Sequence, residues 1–111
     1  MRDLNGWVSE IHKNAKQKGW WDENIVRTPL EIHMLIVSEI SEATEEVRSQ
    51  KAPIYFNDDS EKPEGEAVEL ADAVIRIMDY FGRKNWNLEN VIELKHEYNK
   101  TRSIRHGGKS K

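Results

Sequence analysis

Residues 67–81, AVELADAVIRIMDYF, read as a helix that is apolar around most of its circumference. At ~100° per residue, Ala67, Leu70, Ala71, Ala73, Val74, Ile77, Met78 and Phe81 define a broad core face, and Val68 and Ile75 extend it around the back. Only a stripe about 80° wide stays polar, and it carries Glu69, Asp72, Arg76 and Asp79. A helix of this kind must be buried in a bundle or an oligomer. Its polar stripe is therefore expected to face a cavity or another protein surface instead of open water.

Three further segments show helical periodicity, and no stretch alternates convincingly as a strand. The first is expected from about Asp3, as N-cap, to Lys18, with Leu4, Trp7, Val8, Ile11 and Ala15 on one stripe and Gly19 as its stop. The second starts at TPLE, where Thr28 caps, Pro29 suits the first helical position and Glu31 completes a capping box. It should run to about Gln50, before Pro53. The segment APIYFNDDSEKPEGE reads as a loop, the third helix as running from about Glu64 to Arg83, and the fourth from Leu88 to about Arg102 with Asn87 as cap. Residues 103–111, SIRHGGKSK, read as a mobile basic tail. The expected fold class is all-α: a four-helix bundle in a single domain over residues 1–111, assembled as part of a helical oligomer, a homodimer or tetramer.

With 111 residues, 37% hydrophobic and 33% charged, the apolar residues must be used economically, in narrow stripes or at a subunit interface. The net charge of −3 gives no reason to expect a nucleic acid polymer or an anionic membrane as partner. The absence of cysteine excludes disulfides, thiolate metal sites and cysteine nucleophiles. No apolar run approaches the ~20 residues of a membrane span, and the first residues lack the apolar core of a signal peptide, so a cytoplasmic setting is expected.

On the second helix, Ile32, Ile36, Ile40, Ala43 and Val47 fall within roughly 80°, with Glu39 about 20° outside that sector and Leu35 beyond it. Glu42 and Glu46 lie on the same edge as Leu35, whereas Glu45 points to solvent. The chain thus holds Glu39-x-x-Glu42 and, after 26 intervening residues, Glu69-x-x-Asp72. An i, i+3 pair brings two carboxylates to one face. Either pair alone fits a solvated helix, since glutamate is a good helix former. Two pairs on adjacent helices, each beside apolar residues, point to a divalent cation. Oxygen-only ligation suits Mg²⁺, with Mn²⁺ as substitute, and a cation relieves the mutual repulsion of four anions.

LIVSEISEATEEVR followed by EAVELADAVIRIMDYF resembles the paired ExxE and ExxD helices of the MazG-like, all-α nucleoside triphosphate pyrophosphohydrolases. The ending KHEYNKTRSIRHGGK and the connection KGWWDE are similar to the corresponding segments of small, phage-like members, so the resemblance covers nearly the whole chain. It implies Mg²⁺-dependent hydrolysis of a (d)NTP between the α- and β-phosphates, giving the monophosphate and pyrophosphate, in nucleotide-pool housecleaning. Carried over by position, it makes Glu39, Glu42, Glu69 and Asp72 the metal ligands, with Glu39 or Glu42 accepting the proton of the attacking water. Many members have two adjacent glutamates at the first motif; here Ser38 precedes Glu39, and Glu46 is the candidate for positioning water.

A triphosphate also needs cations. Lys95, Asn99 and Arg102 share a face of the fourth helix at i, i+4, i+7 spacing, and Lys109 lies beside Gly107-Gly108 in a tail that would close over a nucleotide. Basic residues near a helix C-terminus are also favoured by the macrodipole, and a basic tail also serves solubility. Of the adjacent Trp20 and Trp21, which must point in different directions, one is expected to be partly exposed, to stack on a base or anchor a subunit contact, and Trp21 is the candidate for the base. Two non-catalytic readings compete: a divalent-cation-binding helical bundle without turnover, and a protein-interaction module using its acidic helices.

Overall fold

The fold is that of a computed structural model, which describes residues 2–58 and 60–102; the expected basic tail, Lys109 included, lies outside the described residues. Four helices dominate: α1 (Leu4–Gln17), α2 (Pro29–Arg48), α3 (Glu66–Lys84) and α4 (Leu88–Lys100). Their starts follow the capping chemistry of the sequence. The Asp3 carboxylate accepts from the Gly6 N–H at 2.7 Å, Thr28 Oγ1 from the Glu31 N–H at 3.1 Å, and Asn87 Oδ1 from the Asn90 N–H at 3.0 Å. Their ends use left-handed residues: Gly19 (φ +87°) turns the chain after α1, and Asn85 (φ +61°) closes α3.

The segment expected to be wholly a loop contains a small hairpin. Strand β1 (Tyr55–Phe56) pairs antiparallel with β2 (Pro63–Glu64), Tyr55 opposite Glu64 and Phe56 opposite Pro63. Two residues per strand are too few to show an alternating pattern. The hairpin is tied to α3 through Gly65, whose φ is +122° and whose missing Cβ would sit 2.2 Å from the Pro53 carbonyl oxygen. The Ala67 N–H donates to that same oxygen at 3.0 Å.

Helix α3 is the centre of the molecule, packing against α2 along one side and α1 along another, while α4 packs on α1. The α1–α3 crossing is close because Gly82 has no side chain: a Cβ there would meet His12 Cβ at 2.6 Å. Val8, Met78 and Leu88 form the buried core of this end, with Leu4, Ile11 and Phe81 packed on them. Ile32 and Ala43 of α2 and Ala73 of α3 are buried as well.

The broad core face predicted for α3 is covered only in part. Ala67, Leu70, Ala71 and Val74, in its N-terminal half, are exposed, because the α1 crossing reaches the C-terminal half. Helix α2 carries a second apolar stripe the sequence reading did not single out: Leu30, Met34 and Val37 are 75%, 62% and 51% exposed. At i, i+4, i+7 they share a face, roughly opposite the one that buries Ile32 and Ala43. Val91, Leu94 and Tyr98 do the same on α4. No described helix is long and apolar enough to cross a membrane.

Candidate metal centre

Three of the four predicted ligands come together. Glu39 of α2 and Glu69 and Asp72 of α3 each offer a carboxylate oxygen, and these oxygens lie within 4.8 Å of one another; among the described residues this is the only such group. The reason is local and then tertiary. The i, i+3 spacing places Glu69 and Asp72 on the same edge of α3, and α2 lays Glu39 against that edge. Glu39 is buried although it is charged, at 9% exposure, and its partner is Arg76, whose Nε donates to Oε2 at 2.7 Å. Arg76 follows Asp72 by one helical turn, so the polar stripe of α3 supplies both the acids and the cation.

The electrostatics match a site short of positive charge. Burial raises the Glu69 carboxyl above its ordinary value, and the charges of Glu42, Asp72, Glu39 and Glu46 push it the same way. Burial also raises Asp72, with Glu39 adding to the shift, while Arg76 and Lys62 oppose it. A donor set of carboxylate oxygens at this separation, with two groups raised above their ordinary values by desolvation and mutual repulsion, fits a hard divalent cation.

Glu42 is exposed and stands at the rim, outside the three-oxygen cluster but near enough for its charge to act on Glu69. Glu46 accepts a 2.7 Å hydrogen bond from the Tyr55 hydroxyl, which anchors the hairpin to α2 and, with burial, raises the tyrosine to about 12.

Glu39 and Asp72 open onto a cavity of about 570 Å³ between α1 and the polar stripe of α3, lined also by Arg76, Asp79, Asn14 and Trp20 among others, whereas Glu69 does not line it. That volume lies within the range of small-molecule sites. A larger open cleft of about 1220 Å³ lies where α1 meets the end of α3 and the start of α4; Asn5, His12, Gly82 and Trp86 line it, and none of the three clustered carboxylates does.

The two adjacent tryptophans take different positions. Trp21, the candidate for base stacking, uses its indole N–H on both Asp79 oxygens, at 3.0 and 3.1 Å, and sets its ring edge-on to His12. His12 Nδ1 is 2.7 Å from the same Asp79, so the half-buried His12 and Trp21 and the buried Asp79 form one polar knot joining α1, the α1–α2 connection and α3. Trp20 is the tryptophan that lines the cavity. Arg27 lies over its ring at 3.7 Å and donates Nε to its carbonyl at 3.0 Å, and Arg76 lies at 4.9 Å from the ring centroid. Sequence reasoning missed Arg76, Trp20 and the Asp79 knot; for the first and last, the only signal was their place in the polar stripe of an otherwise apolar helix.

The residues expected on the fourth helix lie elsewhere, and α4 ends at Lys100, before Arg102. Lys95 and Asn99 are exposed, Lys95 Nζ sits over the Tyr98 ring at 5.1 Å and the Arg102 guanidinium at 5.3 Å, and none of these three residues lines the cavity. No family model, no curated protein and no solved structure matches the chain.

Proposed function

We propose that the protein is a Mg²⁺-dependent nucleoside triphosphate pyrophosphohydrolase, cleaving (d)NTPs between the α- and β-phosphates to the monophosphate and pyrophosphate. The observation that carries this reading is the convergence of Glu39, Glu69 and Asp72, two of which, Glu39 and Asp72, line a cavity within the size range of small-molecule sites. The resemblance of the two acidic helices and the C-terminal segment to MazG-like enzymes supports it and supplies the reaction. Glu39, Glu69 and Asp72 hold the cation, and Mn²⁺ substitutes for Mg²⁺. When bound, the cation supplies Lewis acidity to the phosphate oxygens and the attacking water. Glu42, exposed and outside the ligand cluster yet close enough for its charge to act on Glu69, is assigned to accept the water's proton. The expected setting is the cytoplasm, acting on surplus or damaged nucleotides.

The working form is a homo-oligomer. Leu30, Met34 and Val37 of α2, Leu70 and Val74 of α3 and Val91, Leu94 and Tyr98 of α4 are between 43% and 75% exposed. They lie on separate helix faces, each an exposed apolar stripe of the kind that a partner covers. A second copy covers them best, since it brings a matching set of unpaired helix faces, and in such an assembly Lys95 and Asn99 of α4, with Arg102 just beyond its end, are free to serve a neighbouring chain's site.

Pyrophosphate release from a panel of (d)NTPs tests the reaction. Release from at least one nucleotide is expected, lost with EDTA and in Asp72→Asn. Metal binding without turnover supports a cation-binding bundle instead, and no metal binding supports an interaction module.

A further inference from the structure

Among the described residues Arg76 is the one lysine or arginine lining the cavity, against the carboxylates of Glu10, Glu39, Asp72 and Asp79. Its bond to Glu39 runs through Nε, and among the described residues no protein acceptor takes the two Nη groups, although the side chain is 32% exposed and faces the cavity. The guanidinium also lies over Trp20, which Arg27 holds from its own side chain and through the Trp20 carbonyl. Glu39 therefore has a competitor for its Oε2 before any metal arrives, and that competitor is a planar cation whose free fork matches two phosphate oxygens.

Resting on the pyrophosphohydrolase reading, we infer that Arg76 is a two-position residue: it occupies Glu39 as a stand-in cation in the metal-free protein and turns to the polyphosphate once a divalent cation takes that carboxylate. A dication outcompetes a guanidinium for the carboxylate oxygen because it carries twice the charge and draws on Glu69 and Asp72 as well. The displaced guanidinium keeps its contact with the Trp20 ring and stays in the cavity, where a polyphosphate facing four carboxylates needs a cation the metal does not supply. An ordinary anchoring ion pair makes the opposite forecast. If Arg76 only held Glu39 in place, removing it would loosen a ligand and weaken metal binding.

The test measures Mn²⁺ binding calorimetrically in wild type, Arg76→Ala and Arg76→Lys without nucleotide, then inorganic tripolyphosphate binding at fixed free Mn²⁺. Tripolyphosphate probes the phosphate contacts independently of any base. Arg76→Ala is expected to bind Mn²⁺ about tenfold tighter and tripolyphosphate about 10- to 100-fold weaker, the scale of a charged hydrogen bond. Arg76→Lys keeps the charge and most of the stem but not the fork, so its Mn²⁺ affinity should stay nearer wild type while tripolyphosphate binding still falls. Unchanged or weaker Mn²⁺ binding in Arg76→Ala, with wild type binding normally and both variants helical by circular dichroism, overturns the two-position role alone. Unchanged tripolyphosphate binding does the same. No Mn²⁺ binding by wild type removes the metal reading and this inference with it.

Discussion

Glu69→Gln is expected to make the metal-free protein more stable and the metal-loaded protein less so. Among the three clustered acids, Glu69 is the cleanest to perturb, because every charge acting on it is repulsive. Glu39 is tied to Arg76, and Asp72 gains from Arg76 and Lys62. Two carboxylate charges at the 4.8 Å spanned by the cluster repel by about 1 kcal/mol in a water-like medium and about 3.5 kcal/mol at an effective dielectric of 20. Glu69 is only half-buried, so solvent screening keeps the lower figure, and neutralising it should add about 1 kcal/mol. The pH dependence has a definite sign. A carboxyl raised on folding stabilises the fold fully below its unfolded value and loses that contribution as pH rises through the folded one. The advantage of the variant is therefore largest at neutral pH and closes as pH falls toward about 4.5. Cation reverses the order: at a hundred times its dissociation constant it adds about 2.7 kcal/mol to wild type, and less to a variant lacking a ligand. Urea unfolding followed by tryptophan fluorescence, in EDTA and in Mn²⁺ at several pH values, reads all of this. A variant less stable than wild type in EDTA, with a gap indifferent to pH and to Mn²⁺, would refute the picture of three repelling ligands.

Asp79→Ala leaves His12 Nδ1 and the Trp21 N–H without their buried acceptor and should cost about 2–4 kcal/mol in urea unfolding; a cost below about 1 kcal/mol would mean that the knot is not structural. Leu30→Glu and Leu94→Glu place charge at positions that are already 75% exposed, so a monomer should tolerate them. Light scattering coupled to size exclusion is expected to show an oligomer in wild type and a smaller species in the variants, and a monomeric wild type removes the proposed self-association.

What could be read from the sequence follows the range of each interaction. Helix starts rest on contacts three residues apart, so Asp3, Thr28 and Asn87 were identifiable as caps. The spacing of Glu69 and Asp72 is equally local, and Glu39 stood out because a carboxylate bracketed by isoleucines and leucine demands a partner. That partner was not readable. Arg76 lies 37 residues from Glu39, and the two meet only because α2 crosses α3 where it does. The choice between Trp20 and Trp21 depends on the turn after Gly19, whose φ of +87° aims one ring at Asp79 and leaves the other at the cavity. Lys95 and Asn99 share a face as their spacing requires, while α4 ends at Lys100 and leaves Arg102 beyond it; periodicity fixes only which residues of a helix point together, and the packing of α4 on α1 decides what they point toward. The same limit explains the α2 stripe. Leu30, Met34 and Val37 on one side and Ile32 and Ala43 on the other look like a single excess of apolar residues until a neighbouring helix takes one side. An uncovered second side then becomes evidence about assembly, because a chain with so few apolar residues gains little by leaving them in water.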